Sequence, residues 1–413
     1  DRGPAGEITY SVTKAEDLEE RRVTLPDGRF ATARTTPASI ESRGFDGVET
    51  IATLADDPRF GGSVKRAVDV TTTTPGGMKL RRTTDVQVTG LSPTDPLDFE
   101  ALTVREQVAE LVSTVVFDRA SQTVTSTPAS GGTTVTTFDD SGRAVSVQGP
   151  SGAPVEIEYY EAGNRAGQVH TVSQGDRTTT YTYSDDGRLE SIVDPTGVES
   201  SFAWNAEKQL SSVNFAQGMT GPDATLAFHA YEGDQLLGAL DVPGSTSGSK
   251  RHSFIYDGAG RETTYQPPHV PDYGLDEVAT RRTYDGAGRL KVLDIPGRDS
   301  VTFGWASGSG ALETVTTAAG THHLEYEETS GALHRIETPR GIATEFTSDG
   351  PFVLSETTTI TGEPHAAFAH EYDADDGRPT KTTLTTGADV STTIRQVDSA
   401  GRHVNSWVTV EGV

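Results

Sequence analysis

The chain has 413 residues, only 33% of them apolar, with 60 acidic against 34 basic side chains and a formal charge of −26. A field of that sign repels nucleic acid and anionic lipid, zero cysteines exclude disulfides, thiol catalysis and cysteine-ligated zinc, and no run of 18 apolar residues offers a membrane span. The 44 Gly and 21 Pro among abundant Thr, Ser and Asp suit short strands with many turns, and regularly returning β-branched and aromatic residues argue against disorder.

Residues 1–130 read as a β-rich segment or cap, continuous with residues 131–413. Starting at Asp1, without a Met or a basic-then-apolar leader, the chain reads as processed or excised. Strand-like runs lie at 8–12, 67–73, 80–88 and 122–126, with turns at Pro26-Asp-Gly28, Asp56-Asp-Pro58 and Pro75-Gly-Gly77. The stretch 102–116 admits two readings. Val104, Val108, Leu111, Val112 and Val115 have helical spacing with Asp98 as a possible N-cap, so a short helix near 98–116 is one; the β neighbourhood and the frequent Val favour the other, a strand. No linker separates this segment from the rest, and it is expected to pack against the first repeats.

From 131 to 413 one phrase recurs: an aromatic, an acidic turn ending in Gly, then Arg. It reads Phe138-Asp-Asp-Ser-Gly-Arg143, Tyr183-Ser-Asp-Asp-Gly-Arg-Leu189, Tyr256-Asp-Gly-Ala-Gly-Arg261, Tyr284-Asp-Gly-Ala-Gly-Arg-Leu290 and Tyr372-Asp-Ala-Asp-Asp-Gly-Arg378, with Val397-Asp-Ser-Ala-Gly-Arg402 last. With Tyr159, Trp204, Tyr231, Trp305, Tyr326 and Phe346 as weaker copies, the steps run from 20 to 28 residues and define about 12 units. Such a period means an array of small supersecondary units, none able to bury its apolar side alone. A Thr/Tyr alternation enters the turn and a second alternating run leaves it, so each unit is a β-hairpin, closed by a second turn such as Asp194-Pro-Thr-Gly197. The predicted fold is all-β, with consecutive hairpins in one twisted sheet and the register aromatics of adjoining units stacked on one another.

These motifs resemble the YD (RHS) repeat family of bacterial Rhs and wall-associated proteins, Tc toxin C components and teneurins. The resemblance covers about 138–413 and extends weakly upstream, to Thr24-Leu-Pro-Asp-Gly-Arg29 and Thr74-Pro-Gly-Gly77. It implies a spiral array of β-hairpins forming a shell or tube, which in toxin members encloses an effector and in others serves surface contact. The partners so implied are further parts of a longer chain or an enclosed effector, in an extracellular or cell-envelope setting.

Candidate chemistry is sparse. The arginines after the turns are expected to fork to carboxylates of neighbouring turns. In Asp373-Ala-Asp-Asp-Gly377 the Gly comes at position five, where a calcium loop needs it at six, so turn chemistry is favoured and no metal or cofactor is expected. The one constellation is a strip of His/Tyr pairs. His229 with Tyr231, His252 with Tyr256, His322 with Tyr326 and His370 with Tyr372 stand two or four residues apart, on one strand face. A glycan could stack and hydrogen-bond there, or a His could abstract a proton while a Tyr donates one; the plainer reading is a ladder of half-polar residues tiling the sheet. A non-catalytic scaffold is therefore expected ahead of a carbohydrate-binding module or a polysaccharide-cleaving enzyme.

Overall fold

A computed structural model describes the chain apart from residues 1, 4–5, 216–223, 233–235, 243–250, 269–278, 388, 399–401 and 412–413. Among the described residues it is nearly all β: 34 antiparallel strands, from Thr9–Ala15 to His403–Glu411, belong to one sheet. Every described pairing within it joins strands that are neighbours in sequence. The alternation of β-branched and polar residues has produced the expected hairpin array.

A representative unit shows why. Strand Arg177–Tyr183 pairs with Leu189–Val193, Tyr181 facing Ile192 and Tyr183 facing Leu189, with a register shift between Thr182 and Tyr183. The same bulge immediately precedes Phe138, Tyr159, Trp204, Tyr256, Tyr284 and Tyr372. It re-aims the aromatic at the strand's end. Gly187 then supplies the positive φ (81°) that closes the turn. The second turn, Asp194 to Val198, leads into Glu199–Trp204, which pairs back on Leu189–Val193.

Between 98 and 118 the helix reading is corrected. Two strands, Ala101–Val108 and Leu111–Asp118, form a tight hairpin, with Ala109 at φ 51° in the turn. Val104 faces Val115 and Val108 faces Leu111. Apolar spacings of four, three and four residues therefore arise as well from cross-strand pairs flanking a two-residue turn as from one helical stripe.

The chain divides into two compact units, 134–301 and a second formed by 1–133 with 302–413. In the first, one face of the sheet carries Ile157, Val172, Tyr181, Ile192, Phe202 and Val213, and the other carries Glu158, Thr171, Thr182, Ser191 and Ser201. Burial is shallow. Val213, Ala239, Ala279 and Ala343 are the buried apolar residues among those described, and no large side chain is fully enclosed. The accessible surface is 24939 Å², against about 15,000 Å² for a compact monomer of this mass. Cohesion rests on ladders, turns and cross-strand neighbours rather than on a central core.

Candidate functional site

Each repeat turn is a closed circuit. In 257–261 the Asp257 N–H donates to the Arg261 carbonyl at 2.9 Å and the Gly260 N–H to the Asp257 carbonyl at 3.0 Å. The Asp257 carboxylate accepts the amides of Ala259 and Arg261 on Oδ1, while Oδ2 takes Arg261 Nε at 2.7 Å and Nη2 at 2.6 Å. Asp139 with Arg143 and Asp285 with Arg289 repeat the pattern, and Asp398 with Arg402 repeats its Asp–Arg bonds. In the turns of Arg188 and Arg378 the partners are Asp186 and Asp376, two residues back. The predicted fork to a neighbouring turn is thus corrected: each arginine pairs within its own turn, because the loop folds its first residue's side chain, or that of the residue two before the arginine, against the arginine that closes it. The Arg261 guanidinium, then the Arg261 amide, hold the Asp257 carboxyl below the usual carboxylate range. At Asp285 the order is reversed, the Arg289 amide acting ahead of its side chain.

The far side of the guanidinium covers the next unit's aromatic. Arg143 lies 4.5 Å from the centroid of Tyr159, Arg261 4.6 Å from that of Tyr284 and Arg188 5.9 Å from that of Trp204. Each aromatic also donates to a backbone carbonyl of the preceding return strand: Tyr159 to Ala144, Trp204 Nε1 to Leu189 and Tyr284 to Glu262, at 2.7–2.8 Å. For Tyr284 and Trp204, expected to stack on equivalent aromatics, the observed unit-to-unit partner is an arginine and a carbonyl. Tyr372 does meet a ring, but that of Phe352, at 4.9 Å.

The same commitment governs the His/Tyr strip. Tyr256, Tyr326 and Tyr372 donate to the carbonyls of Leu237, Leu312 and Val353 at 2.9 Å, and burial pushes the Tyr326 phenol up from its ordinary range. A phenol so held is a poor proton donor to a substrate. His252 Nδ1 is 2.7 Å from Tyr265 Oη, with the rings stacked. His370 Nδ1 is 3.2 Å from Thr382 Oγ1 and Nε2 is 3.6 Å from Glu356. His322 is half-buried opposite Val315. His229 and Tyr231 lie on strand Ala224–Glu232, opposite Ala239 and Leu237; their side chains fall outside the described residues.

Nor does the sheet bring the pairs together within either unit. Gly320–Tyr326 and Glu363–Tyr372 have three strands between them, a lateral offset of about 19 Å. Ala224–Glu232 and Arg251–Tyr256 have one between them, an offset of about 10 Å. The pairs are placed on separate strands along the ladder.

One buried polar pair escaped the sequence reading. Thr74 (3% exposed) and Asp349 (8% exposed) hydrogen-bond across 275 residues, beside a cleft of about 790 Å³ lined in part by Arg29, Arg43, Asp46, Pro75, Glu327 and Ser330. In sequence Asp349-Gly350 is one more acidic turn, and nothing local marks its distant partner.

No protein-family model matches the chain, and no curated protein is significantly similar to it in sequence. Solved structures do match. The crystal structures of TcdB2–TccC3–Cdc42 and of TcdB2–TccC3 without its hypervariable C-terminal region each superpose with a TM-score of 0.50 at 11% identity, over 98% of this chain and 26% of theirs. The Photorhabdus luminescens Tc holotoxin pore carrying TccC3-D651A aligns over the same shares at 11% identity and a TM-score of 0.40. The chain spans about a quarter of the length of these proteins. Among the described residues no helix is long and apolar enough to cross a membrane. What the likeness establishes is the architecture: this chain has a Tc-toxin-like, RHS-type β-structure.

Proposed function

We propose that the chain is a non-catalytic YD-repeat scaffold segment of an extracellular or cell-envelope protein, its sheet enclosing cargo such as a toxin or presenting an adhesive surface. The observation that carries this reading is the commitment of the motif residues. The turn arginines and register aromatics, which a binding strip would present to a ligand, are engaged with their own turn and the preceding strand. Chemistry needs groups that converge on one substrate atom, and the His/Tyr pairs lie on separate strands. The likeness to toxin-complex chains and the apolar face of unit 134–301 support a wall with a distinct lining side.

The experiment is a glycan array probed with the wild-type chain and with a variant carrying Gln at His229, His252, His322 and His370. The expected result is no glycan binding by either protein, with an unchanged far-UV spectrum. Glycan binding lost in the folded variant would replace the scaffold with a carbohydrate-binding module. Turnover of a polysaccharide lost in the same way would make the protein an enzyme.

A further inference from the structure

Thr74 and Asp349 are two of the four buried polar residues among those described, and they belong to the same compact unit. Thr74 opens the 74–78 turn: its N–H donates to the Met78 carbonyl at 2.9 Å, its carbonyl accepts the Gly77 N–H at 2.9 Å, and its hydroxyl accepts the Met78 N–H at 3.0 Å. In the repeat turns an aspartate takes this position and spends its carboxylate on its own arginine. A hydroxyl differs in having a proton to give. Thr74 gives it to one oxygen of Asp349, and the Gly76 N–H donates to the other. One carboxylate from the hairpin of Ile342–Asp349 and Phe352–Ile360 thereby satisfies two donors of a turn far upstream.

The surrounding contacts run along the same line, turn against turn. Arg29 Nη1 donates to the Ser330 carbonyl at 3.1 Å, and a Cβ on Gly331 would overlap that guanidinium. A Cβ on Gly350 would stand 2.7 Å from Val48 Cγ2, and one on Gly76 would collide with the Asp349 carboxylate. No strand pairing is described between residues 25–80 and 327–377. The contact therefore lacks a ladder, and a few side chains and glycine-permitted close approaches hold it.

We propose that Asp349 and the 74–78 turn form a latch that fastens residues 25–80 to residues 327–377, and that releasing it parts this seam while the hairpins on either side stay folded. The inference concerns the unit's own closure and is independent of the proposed function. Two variants isolate it. Asp349→Asn removes the charge that both donors share. Thr74→Asp restores the residue usual in repeat turns, keeping an acceptor for the Met78 N–H while setting two carboxylates against each other.

The chain has no cysteine, so nitroxides can be placed at Lys79→Cys and Thr347→Cys, both exposed in the native protein, and their separation read by pulsed electron spin resonance beside amide exchange. In the parent protein a single narrow distance is expected. In both variants the distribution should broaden and lengthen, with the Gly76 amide exchanging at least about tenfold faster, as befits a lost hydrogen bond to a charged group. The Gly77 amide, bonded inside the turn, should keep its protection in Thr74→Asp. Should Asp349→Asn unfold the sheet, Thr74→Asp decides. A narrow, unshifted distance and unchanged Gly76 exchange in a folded Thr74→Asp protein would overturn the latch.

Discussion

The turns of the repeat array and those of the first 130 residues share a backbone and differ in their connections. At 25–29, 44–48 and 74–78, as at 139–143, 257–261 and 285–289, the first residue donates to the fifth and its carbonyl accepts from the fourth. In the three repeat turns the first residue is Asp and the fifth is Arg, and the arginine reaches the next aromatic where Tyr159 and Tyr284 follow. In the N-terminal turns the first residues are Leu25, Gly44 and Thr74. Asp46 caps the Val48 amide, and Arg29, besides forking to Asp27 of its own turn, reaches the distant Ser330 carbonyl instead of the next unit's aromatic. One design ties each hairpin to its sequence neighbour. The other leaves the hairpin free to bind a distant turn, so its cohesion depends on the long-range seam.

The sharpest test of that contrast is truncation of one aromatic from each region. Tyr284→Ala should cost about 3 kcal/mol, since it removes a half-buried ring together with its arginine and carbonyl partners. Tyr10→Ala, at a site 66% exposed, should change stability by less than about 0.5 kcal/mol. Urea titrations of the two variants check this, and equal losses would erase the distinction. Tyr284→Phe, which keeps the ring and drops the hydroxyl, should cost about 1 kcal/mol.

Glycine at the fourth turn position gives a smaller effect with opposite signs in two turns. Gly260 sits at φ 76°, and Gly260→Ala should destabilise by about 1 kcal/mol. In the degenerate turn 205–209, Lys208 holds the same place at φ 71°, while Asn205 and Gln209 stand in for the Asp/Arg pair. Lys208→Gly should therefore stabilise, by a few tenths of a kcal/mol up to about 1. Paired thermal melts give the signs directly.

Acid gives the smallest effect and sets the repeat turns apart only from 44–48 and 74–78, since at 25–29, against the opposing effect of burial, the Arg29 bonds also hold the Asp27 carboxyl below its ordinary range. Asp139, Asp257 and Asp285 are held below the ordinary carboxylate range by the amides and guanidinium of their own turns. Because the folded value lies below the unfolded one, this contribution is fully present above about pH 4 and is lost as pH falls through the depressed folded values. Amide exchange at Gly142, Gly260 and Gly288 should accelerate over that window. In a protein carrying Asn at all three aspartates, the acceleration should disappear.

The hairpins were legible because their information is local. A Thr/Tyr alternation, an acidic turn and a positive-φ glycine all lie within about twenty residues, and the structure follows them at Arg177–Tyr183 and Leu189–Val193. The arginine's partner was misplaced because opposite charges are plentiful, and sequence does not rank a carboxylate four residues back against one in the next turn. Stacked aromatics were expected because equal positions adjoin in a repeat. Tyr183 does meet a ring of the adjoining unit, Tyr160 at 6.0 Å. At Tyr159, Trp204, Tyr256, Tyr284 and Tyr372 the bulged strand end instead aims the side chain at the preceding strand's carbonyl, a detail of register that composition does not carry. The Thr74–Asp349 contact was unreadable for a further reason: both residues have complete local roles as turn formers, and only the folded chain places them together.

The shallow burial of this sheet has a thermal consequence. Heat capacity rises on unfolding mainly through newly hydrated apolar surface, and a chain that already leaves 24939 Å² in contact with water has less of it to expose. Its heat-capacity increment should fall to about four-fifths of that of a compact domain of equal length. The curve of stability against temperature is correspondingly flatter, so a modest maximum free energy is spread over a wider span between cold and heat unfolding.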